Sequence, residues 1–217
     1  MTNTFKNKNG RPILLAMVKG IQDNKGYLGD VDGLIGDGDH GMNMNKGFTL
    51  FAKRFGDHEF SFSDGLENLS MILLNEIGGS MGPIYGTILM EMADALSSGG
   101  SEEIGLSDFT AALSAGLEGL YGIVDARVGD KTLVDTLAPA VASLQADIAS
   151  GSSFDQALVT MKTAAEAGKE STKNLVAKYG RSSRLGERSR GVLDAGACSC
   201  NIILQTMADG ILCLLNA

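Results

Sequence analysis

Apolar residues recur at helical spacing along almost the whole of this chain, and this periodicity limits the folds that it can adopt. One stripe follows Pro12 and runs through Ile13, Met17 and Ile21. Spacings of three and four residues place such side chains on a single face of an α-helix. The sequence shows no convincing alternation of apolar and polar residues, which is the pattern typical of strands. We therefore predict an all-α fold.

The pattern predicts about eight helices that pack as antiparallel neighbours in one bundle over residues 1–217. The final helix, Ala197 to Leu215, is apolar on nearly every side, so we expect it to be deeply packed. Ser153 and Gln156 match a capping box for the helix before it, which is expected to run towards Lys178. The helices are predicted to begin near Pro12, Met42, Ser63, Pro83, Ser107, Lys131, Ser153 and Ala197.

The segments between these helices hold many glycines and charged residues. Gly26 to Asp32 is predicted to be a polar turn, and Ser97 to Gly105 a loop of glycine, serine and glutamate. Tyr179 to Ala195 is predicted to be irregular. A helical bundle needs only about 2–8 residues between helices. Long connections of this composition are therefore the expected location of a functional site.

Composition and charge exclude several classes of function. A hydrophobic fraction of 44% over 217 residues is enough for a folded core. With 18 basic against 26 acidic residues the formal charge is −8, so we expect neither nucleic-acid nor anionic-membrane binding. We also expect no apolar stretch to reach the ~18–20 residues of a membrane span.

The termini and cysteines point to the cytoplasm. Residues Met1 to Arg11 are polar and no secretory core follows them, which disfavours a signal peptide. The three cysteines, two of them in Cys198-x-Cys200, suggest neither a disulfide framework nor a zinc site. A cytoplasmic location is therefore expected.

The segment Gly36-Asp37-Gly38-Asp39-His40-Gly41 fits the glycine pattern of dinucleotide-binding loops, but its charge contradicts that function. In that pattern a helix N-terminus faces a pyrophosphate. Here the carboxylates of Asp37 and Asp39, with Asp32 nearby, would repel such a group. No buried strand is predicted before Gly36, which also argues against a Rossmann fold.

A loop with these oxygen ligands suits Mg²⁺, which often shares its coordination sphere with substrate phosphates. The three aspartates could therefore bind one or two magnesium ions. Asp-Gly pairs are also ordinary turn formers, and the pattern alone leaves the two interpretations evenly matched. A calcium EF-hand is excluded, because Gly41, Met42 and Phe48 stand where that loop needs two ligands and a glycine.

Three further segments carry weaker signals for anion binding. Gly78 to Pro83 precedes a helix and could hold an anion, although a plain turn is the favoured interpretation. Gly129 to Thr132 is similar to a P-loop ending but lacks its Gly-Lys pair, and Asp130 as a helix cap explains it equally well. Gly180 to Arg188 concentrates arginine, which suits phosphate or carboxylate, or forms a solvated basic loop.

Taken in order, these four segments resemble the nucleotide-binding subunits of dihydroxyacetone kinase, the DhaL family. The shared pattern is Asp-x-x-x-x-Asp-Gly-Asp-His-Gly, Gly-Gly-x-x-Gly-Pro-x-x-Gly, Gly-Asp-Lys-Thr, and Gly-Arg-x-Ser-x-Leu-Gly-Glu-Arg-Ser with a later Asp-x-Gly. The motifs follow one another in the family's order along the whole chain. The resemblance implies a single DhaL-like domain, an eight-helix barrel that holds ADP or ATP at one end through Mg²⁺.

The resemblance also implies roles for individual residues. Asp32, Asp37 and Asp39 would be the ligands of two Mg²⁺ ions. Ser80 would compensate for a departure at its neighbour, Met81, where the family has a serine. The residues that would line the nucleotide site are His40, Gly41, Met42, Asn43, Ser80, Met81, Leu133, Arg181, Asp194, Ala195 and Gly196.

Two further positions depart from the family pattern. Ala195 stands where the family has the proline of an Asp-Pro-Gly turn, and Arg184 replaces a tyrosine of the arginine-rich loop. That loop is expected to reach a partner subunit. These changes bear on the sugar that is used more than on the nucleotide chemistry.

The function implied is that of a kinase subunit which passes a phosphoryl group to a short ketose held on a partner subunit, with no catalytic residue on this chain. In the favoured scheme ADP stays bound as a coenzyme and is recharged by a phosphotransferase-system protein. In the alternatives the chain is an ATP-dependent triose or tetrose kinase subunit, or a non-catalytic ADP-binding regulatory module. A homodimer is left open.

Overall fold

The computed structural model describes residues 3–100 and 102–217, and within this part the chain forms nine α-helices. Three short 3₁₀ segments accompany them, at Asn7–Asn9, Thr172–Asn174 and Arg181–Ser189. The predicted all-α class is therefore confirmed. The helices are α1 (Arg11–Asp23), α2 (Lys25–Ile35), α3 (His40–Phe55), α4 (Phe62–Glu76), α5 (Met81–Ser98), α6 (Leu106–Ile123), α7 (Val134–Ser150), α8 (Phe154–Ser171) and α9 (Ala195–Leu215).

Eight of the helices in the described chain form a closed ring in which each packs against the next. The order around the ring is α1, α3, α4, α5, α6, α7, α8 and α9, and α9 packs back against α1. The connections 77–80 and 151–153 are short, so α4 with α5 and α7 with α8 are antiparallel neighbours. Fully buried side chains such as Phe48, Met92 and Leu144 fill the interior. This is the predicted eight-helix antiparallel barrel.

The ninth helix, α2, lies where a polar turn was predicted, and that prediction is wrong. Leu28, Val31 and Ile35 are buried on one face of α2, which packs against α3 and α9. Glycines at positions 26, 29 and 33 interrupt the apolar pattern, so the stripe is hard to detect in the sequence. Packing against two neighbours stabilises a helix whose own propensity is poor.

A small antiparallel sheet is the second element that the sequence did not predict. Strands β1 (Thr4–Lys6) and β2 (Glu103–Gly105) pair through Phe5 and Ile104. Three residues are too few to show the alternation by which a strand is recognised. The predicted loop Ser97–Gly105 therefore ends in a strand. Met1, Thr2 and Ser101, which the predictions for the N-terminus and for this loop included, lie outside the described residues.

Several helix ends differ from the prediction. Helix α4 is capped by Ser61, whose side chain accepts from the Asp64 amide in a capping box, whereas Ser63 bonds to Asn7. The capping box predicted at Ser153 is absent from α8, because its hydroxyl bonds to an aspartate two residues on.

Helix α8 also ends at Ser171, well before Lys178, and α7 begins at Val134 rather than Lys131. Its first turn is not capped by Asp130, whose carboxylate pairs with Lys178 at 2.5 Å. Asp135, in the first turn of α7, accepts from the amides of Gly129 and Thr132 at 2.6 and 2.8 Å and so holds the preceding connection, while no side chain caps the helix.

Helix α9 runs through the wall of the barrel and is the most apolar element. By length and composition it could cross a membrane, with a mean hydropathy of 1.5, which corrects the expectation that no stretch reaches that length. Because 61% of this window is buried inside the protein, its apolar character is explained by the core that it packs into.

Candidate nucleotide and metal site

The N-termini of four helices in the described chain open onto one cavity of about 360 Å³. Helices α3, α5, α7 and α9 contribute His40, Met81, Val134 and Ala195 from their first turns. These are alternate members of the antiparallel ring, so their N-termini fall at the same end of the barrel. Unpaired amides and the aligned helix dipoles make this end favourable for an anion.

The acidic loop forms one wall of this cavity. Asp32 comes from the last turns of α2, and Asp37 and Asp39 from the connection to α3. One carboxylate oxygen from each of the three lies within 4.8 Å of the others. Gly38 has φ +77°, a left-handed conformation that a side chain would disfavour, and it turns the chain between the two loop aspartates.

The loop is held against the barrel by close backbone packing. A Cβ atom at Gly41 would lie 2.1 Å from the Lys25 carbonyl oxygen and 2.8 Å from the Gly29 nitrogen, so only glycine fits there. The His40 amide also donates to Oδ2 of Asp32, at 3.3 Å. The junction of α2 and α3 therefore fixes the positions of the three carboxylates.

The three carboxylates repel one another in this arrangement. Burial raises the pKa of Asp39, and the charges of Asp37 and Asp32 raise it further, while Arg181 and a hydrogen bond from Asn43 oppose the shift. Nη2 of Arg181 lies 2.9 Å from Oδ2 of Asp37 and compensates one of the charges. A divalent cation would relieve the rest, because Mg²⁺ prefers hard oxygen ligands such as carboxylates.

His40 lies in the first turn of α3 and is buried beside the loop. Its Nε2 atom lies 2.7 Å from the hydroxyl of Ser199 in α9, which is in turn 2.6 Å from the hydroxyl of Tyr85 in α5. Burial lowers the pKa of His40 to about 4, although the charge of Asp32 opposes this shift. The imidazole is therefore neutral at ordinary pH.

Another wall comes from the connection between α6 and α7, where Lys131 is 1% exposed. Its ammonium group donates to the carbonyls of Thr172 and Val192, each at 2.5 Å, and its φ of 61° is left-handed. Desolvation lowers its pKa, and the charges of Asp194 and Asp135 oppose that shift. Lys131 thus ties the connection between α8 and α9 to the start of α7 and is not a P-loop lysine.

The cap of α9 lies at the cavity wall. Oδ2 of Asp194 accepts from the Ala197 amide at 2.7 Å, and the Asp194 amide donates to the Thr172 hydroxyl at 3.1 Å. Burial raises the pKa of Asp194 to about 6, while the hydrogen bond from the Ala197 amide and the charge of Lys131 oppose this shift. The structure therefore places a further carboxyl group, whose pKa is raised by burial, beside the acidic loop.

Apolar side chains supply the remaining surface of the cavity. They have the character of a surface on which a flat aromatic ring can stack, next to the charged end. Those that border the cavity are Ile35, Ile84, Val124, Ala126, Leu133 and Val134.

Most of the residues that the sequence singled out border this cavity. Gly41, Met42 and Asn43 do not. Gly41 is buried against α2, Met42 is 59% exposed, and Asn43 bonds to Asp39. The predicted residues that border it are Asp32, Asp37, Asp39, His40, Ser80, Met81, Leu133, Arg181, Asp194, Ala195 and Gly196.

Sequence reasoning missed several contributors. Tyr85, Lys131 and Tyr179 border the cavity, and Ser199 lies behind it. Tyr85 and Lys131 stand inside motifs that were already recognised, so their position next to the glycine and aspartate residues was an available signal. Ser199 had none, since its partner His40 lies 159 residues away in the chain.

The fold and the site together define an all-α barrel domain whose helix N-termini and acidic loop share one cavity. The family model described as "DAK2 domain" matches residues 34–209. This chain belongs to the DAK2 domain family.

Relatives that match most of this chain include subunits of dihydroxyacetone kinases. It is 36% identical over 188 residues to the PEP-dependent dihydroxyacetone kinase 1, ADP-binding subunit DhaL, of Listeria innocua, covering 86% of this chain and 88% of that one. It is 35% identical over 190 residues to the PTS-dependent dihydroxyacetone kinase, ADP-binding subunit DhaL, of Lactococcus lactis, covering 87% and 90%. The predicted resemblance to DhaL subunits is confirmed.

A solved structure has the same fold. The dihydroxyacetone kinase from C. freundii in complex with AMP-PNP and Mg²⁺ superposes with a TM-score of 0.68 at 20% identity. The superposition covers 96% of this chain and 35% of that one. At this identity the match supports the barrel fold alone.

Proposed function

We propose that this chain binds a magnesium–nucleotide complex and supplies its phosphoryl group to a short ketose held on a partner subunit. The observation that carries this proposal is the meeting of three carboxylates and the N-termini of four helices of the described chain at one cavity. Carboxylates alone would repel a phosphate, and helix N-termini alone would attract one. A cation that bridges the two satisfies both.

The donor set fits magnesium. Asp32, Asp37 and Asp39 would hold the metal, and we propose two ions, since three carboxylates offer more oxygens than one ion shared with phosphate needs. Bound there, Mg²⁺ would supply positive charge that offsets the phosphates and the charge that develops on transfer. The protein's own contribution is position: the junction of α2 and α3 fixes these side chains relative to the other walls.

Other parts of the cavity suit the rest of a nucleotide. Amides at the starts of α5 and α9, next to Ser80 and Gly196, face the cavity end that attracts phosphate. Leu133 lies on the apolar surface, where we propose that adenine stacks. Arg181 would contact phosphate once a cation shares Asp37 with it.

The acceptor is proposed to lie on another subunit. The chain has two histidines, of which His40 is committed to Ser199 and His58 is exposed after α3, away from the cavity residues. Neither stands in the cavity as a free nucleophile. Catalysis on this chain therefore consists of positioning and electrostatic stabilisation, which is the usual division of work in phosphoryl transfer.

The favoured donor scheme keeps ADP bound as a coenzyme that a phosphotransferase-system phosphoprotein recharges, in the cytoplasm. Two relatives named as PEP- or PTS-dependent ADP-binding subunits are 35–36% identical and are covered over 88–90% of their length. The superposed C. freundii kinase is covered over only 35%. An ATP-dependent triose or tetrose kinase subunit is the alternative, and ATP would then exchange at each turnover.

The decisive measurement is nucleotide binding by a matched pair of variants. Asp37→Asn removes one cluster carboxylate, and Asp30→Asn removes an exposed carboxylate of α2 outside the cluster. Calorimetric titration with Mg²⁺ and ADP should show binding to the wild type and to Asp30→Asn, and a loss of at least about 100-fold in Asp37→Asn. Equal binding by both variants contradicts the metal assignment.

The donor and the acceptor are tested by turnover. The protein is mixed with the ketose-binding subunit of a DhaL relative and dihydroxyacetone, with either ATP or a phosphohistidine donor protein. Product only with the phosphoprotein supports the coenzyme scheme, and rapid product with ATP alone supports the exchange scheme. Mg²⁺·ADP binding without transfer under either condition indicates the regulatory module. The first variant to test in that case is Met81→Ser, which restores the serine that the family has at this position.

A further inference from the structure

Two buried hydroxyl groups connect His40 to the first turn of α9, and the proposed function leaves them unassigned. Nε2 of His40 lies 2.7 Å from Oγ of Ser199, and the Tyr85 hydroxyl lies 2.6 Å from the same oxygen. Ser199 is fully buried and Tyr85 is 4% exposed. The three polar groups come from α3, α9 and α5, three of the helices that begin at the cavity.

The hydroxyls are not needed by the backbone around them. Tyr85 also lies 3.0 Å from the Gly196 carbonyl, and Ser199 lies 3.2 Å from the Ala195 carbonyl. Both carbonyls belong to α9, where the amides four residues later can donate to them within the helix. The short contacts of Ser199 are those with His40 and Tyr85, so the hydroxyl chain serves the imidazole.

A neutral imidazole carries one proton, and the hydroxyl chain can place it on either nitrogen. If His40 donates from Nε2 to Ser199, its Nδ1 atom is a bare lone pair. If Tyr85 donates to Ser199 and Ser199 donates to Nε2, the proton is on Nδ1. Conversion of one arrangement into the other requires both hydroxyl hydrogens to rotate and the ring to lose its Nε2 proton and gain one on Nδ1 by exchange with solvent, with no heavy atom displaced.

The surroundings of the Nδ1 atom decide which of the two arrangements favours phosphate binding. His40 borders the cavity, and its Nδ1 atom makes no hydrogen bond with any residue in the described part of the chain. The cavity end there is built for an anion, as the helix N-termini show. A lone pair on Nδ1 would repel a phosphate oxygen, whereas an N–H would donate to it.

We propose that Ser199 and Tyr85 are positioning residues: with nucleotide bound, Tyr85 donates to Ser199, Ser199 donates to Nε2 of His40, and the neutral ring presents Nδ1–H to a phosphate group. This inference rests on the proposed nucleotide site and adds the means by which an uncharged histidine becomes a phosphate donor there. No net proton is gained or lost, and only the tautomer of His40 is selected.

Nitrogen NMR of histidine side chains measures this tautomer directly, because protonated and unprotonated ring nitrogens differ widely in chemical shift. The protein has two histidines, so ¹⁵N-histidine labelling gives two ring systems, and a His58→Gln variant assigns them. With Mg²⁺·ADP bound, the wild type should show His40 protonated on Nδ1. In Ser199→Ala the proton should return to Nε2 or exchange between both nitrogens.

The matched control is Ser70→Ala. Ser70 is also a fully buried helical serine that donates to a carbonyl three residues earlier, but it lies in α4, outside the cavity. Ser199→Ala should weaken Mg²⁺·ADP binding by about tenfold, the usual effect of losing one charge-assisted hydrogen bond, while Ser70→Ala leaves both affinity and tautomer unchanged.

Tyr85→Phe provides a second variant in case Ser199→Ala does not fold. It keeps the aromatic ring and removes the hydroxyl, and it should shift part of the His40 population to the Nε2–H tautomer. The proposal is overturned if bound wild-type protein carries the proton on Nε2, or if folded Ser199→Ala or Tyr85→Phe keeps both wild-type tautomer and affinity. Wild-type protein that binds no Mg²⁺·ADP overturns the proposed function instead, and the ligand-free spectra of the same variants then decide whether Ser199 sets the tautomer.

Discussion

Nη2 of Arg181 lies 2.9 Å from Oδ2 of Asp37 and joins the arginine-rich segment to the acidic loop at the cavity. The arginine side chain is 64% exposed, so this pair contributes little to the stability of the fold. Its location is informative, because the guanidinium is held beside the carboxylates where phosphate is proposed to bind.

Arg181→Gln should weaken Mg²⁺·ADP binding by about tenfold, since a charged donor to phosphate is lost. The melting temperature of the ligand-free protein should stay almost unchanged. Arg184→Gln is the control, because Arg184 belongs to the same segment but does not border the cavity. Calorimetric titration separates them, and similar affinities for both variants would contradict a role for Arg181.

Asp39→Asn should stabilise the metal-free protein and impair metal binding at the same time. Repulsion from Asp37 and Asp32 and burial both disfavour the Asp39 carboxylate, so removing its charge relieves the fold. We expect the melting temperature without Mg²⁺ to rise by about 1–4 °C. With Mg²⁺ and ADP the wild type should gain more than the variant. A variant that is less stable without metal would show that the cluster is not strained.

Asp194 should make the ligand-free protein less stable as pH rises. Burial raises its pKa from 3.8 in the unfolded chain to about 6, so the folded state holds the proton more tightly. The stabilisation that Asp194 contributes to the free energy of unfolding is complete below pH 4 and is lost as the pH rises to about 6. Above that pH it stays constant, and the total change is on the order of 3 kcal/mol. Asp194→Asn keeps an N-cap acceptor and should remove this pH dependence.

Urea denaturation of the wild type and Asp194→Asn at pH 4, 5, 6 and 7 measures this effect. The difference between the two proteins isolates Asp194 from the other carboxylates. A difference that stays constant across the range, or one that grows in favour of the wild type as pH rises, would contradict the assigned shift.

Lys131→Met should destabilise the protein by ~2–4 kcal/mol, because the buried carbonyls of Thr172 and Val192 lose their common donor. The connection before α9 would loosen, and nucleotide affinity should fall with it. Lys162→Met is the matched control, since Lys162 pairs with the exposed Asp209 at the surface. Chemical denaturation compares the two, and equal losses would show that Lys131 has no special structural role.

Much of this protein is determined by short stretches of its sequence. Helical periodicity follows from residues three and four apart, so seven of the ring helices and the apolar α9 could be predicted from local pattern. The carboxylates next to glycines likewise indicated Asp32, Asp37 and Asp39 as a candidate metal site, and the structure places their side chains together. Helix α2 could not be predicted from the local pattern, because its glycines interrupt the apolar stripe and its stability comes from packing against other helices.

The tertiary structure decided which of these pieces meet. The alternation of direction around the ring brings the starts of α3, α5, α7 and α9 to one end, although they are far apart in the chain. The contacts of His40 with Ser199 and of Lys131 with Thr172 span 159 and 41 residues. A local pattern carries no information about such partners, because buried polar groups are satisfied by whatever donor the closed barrel places beside them.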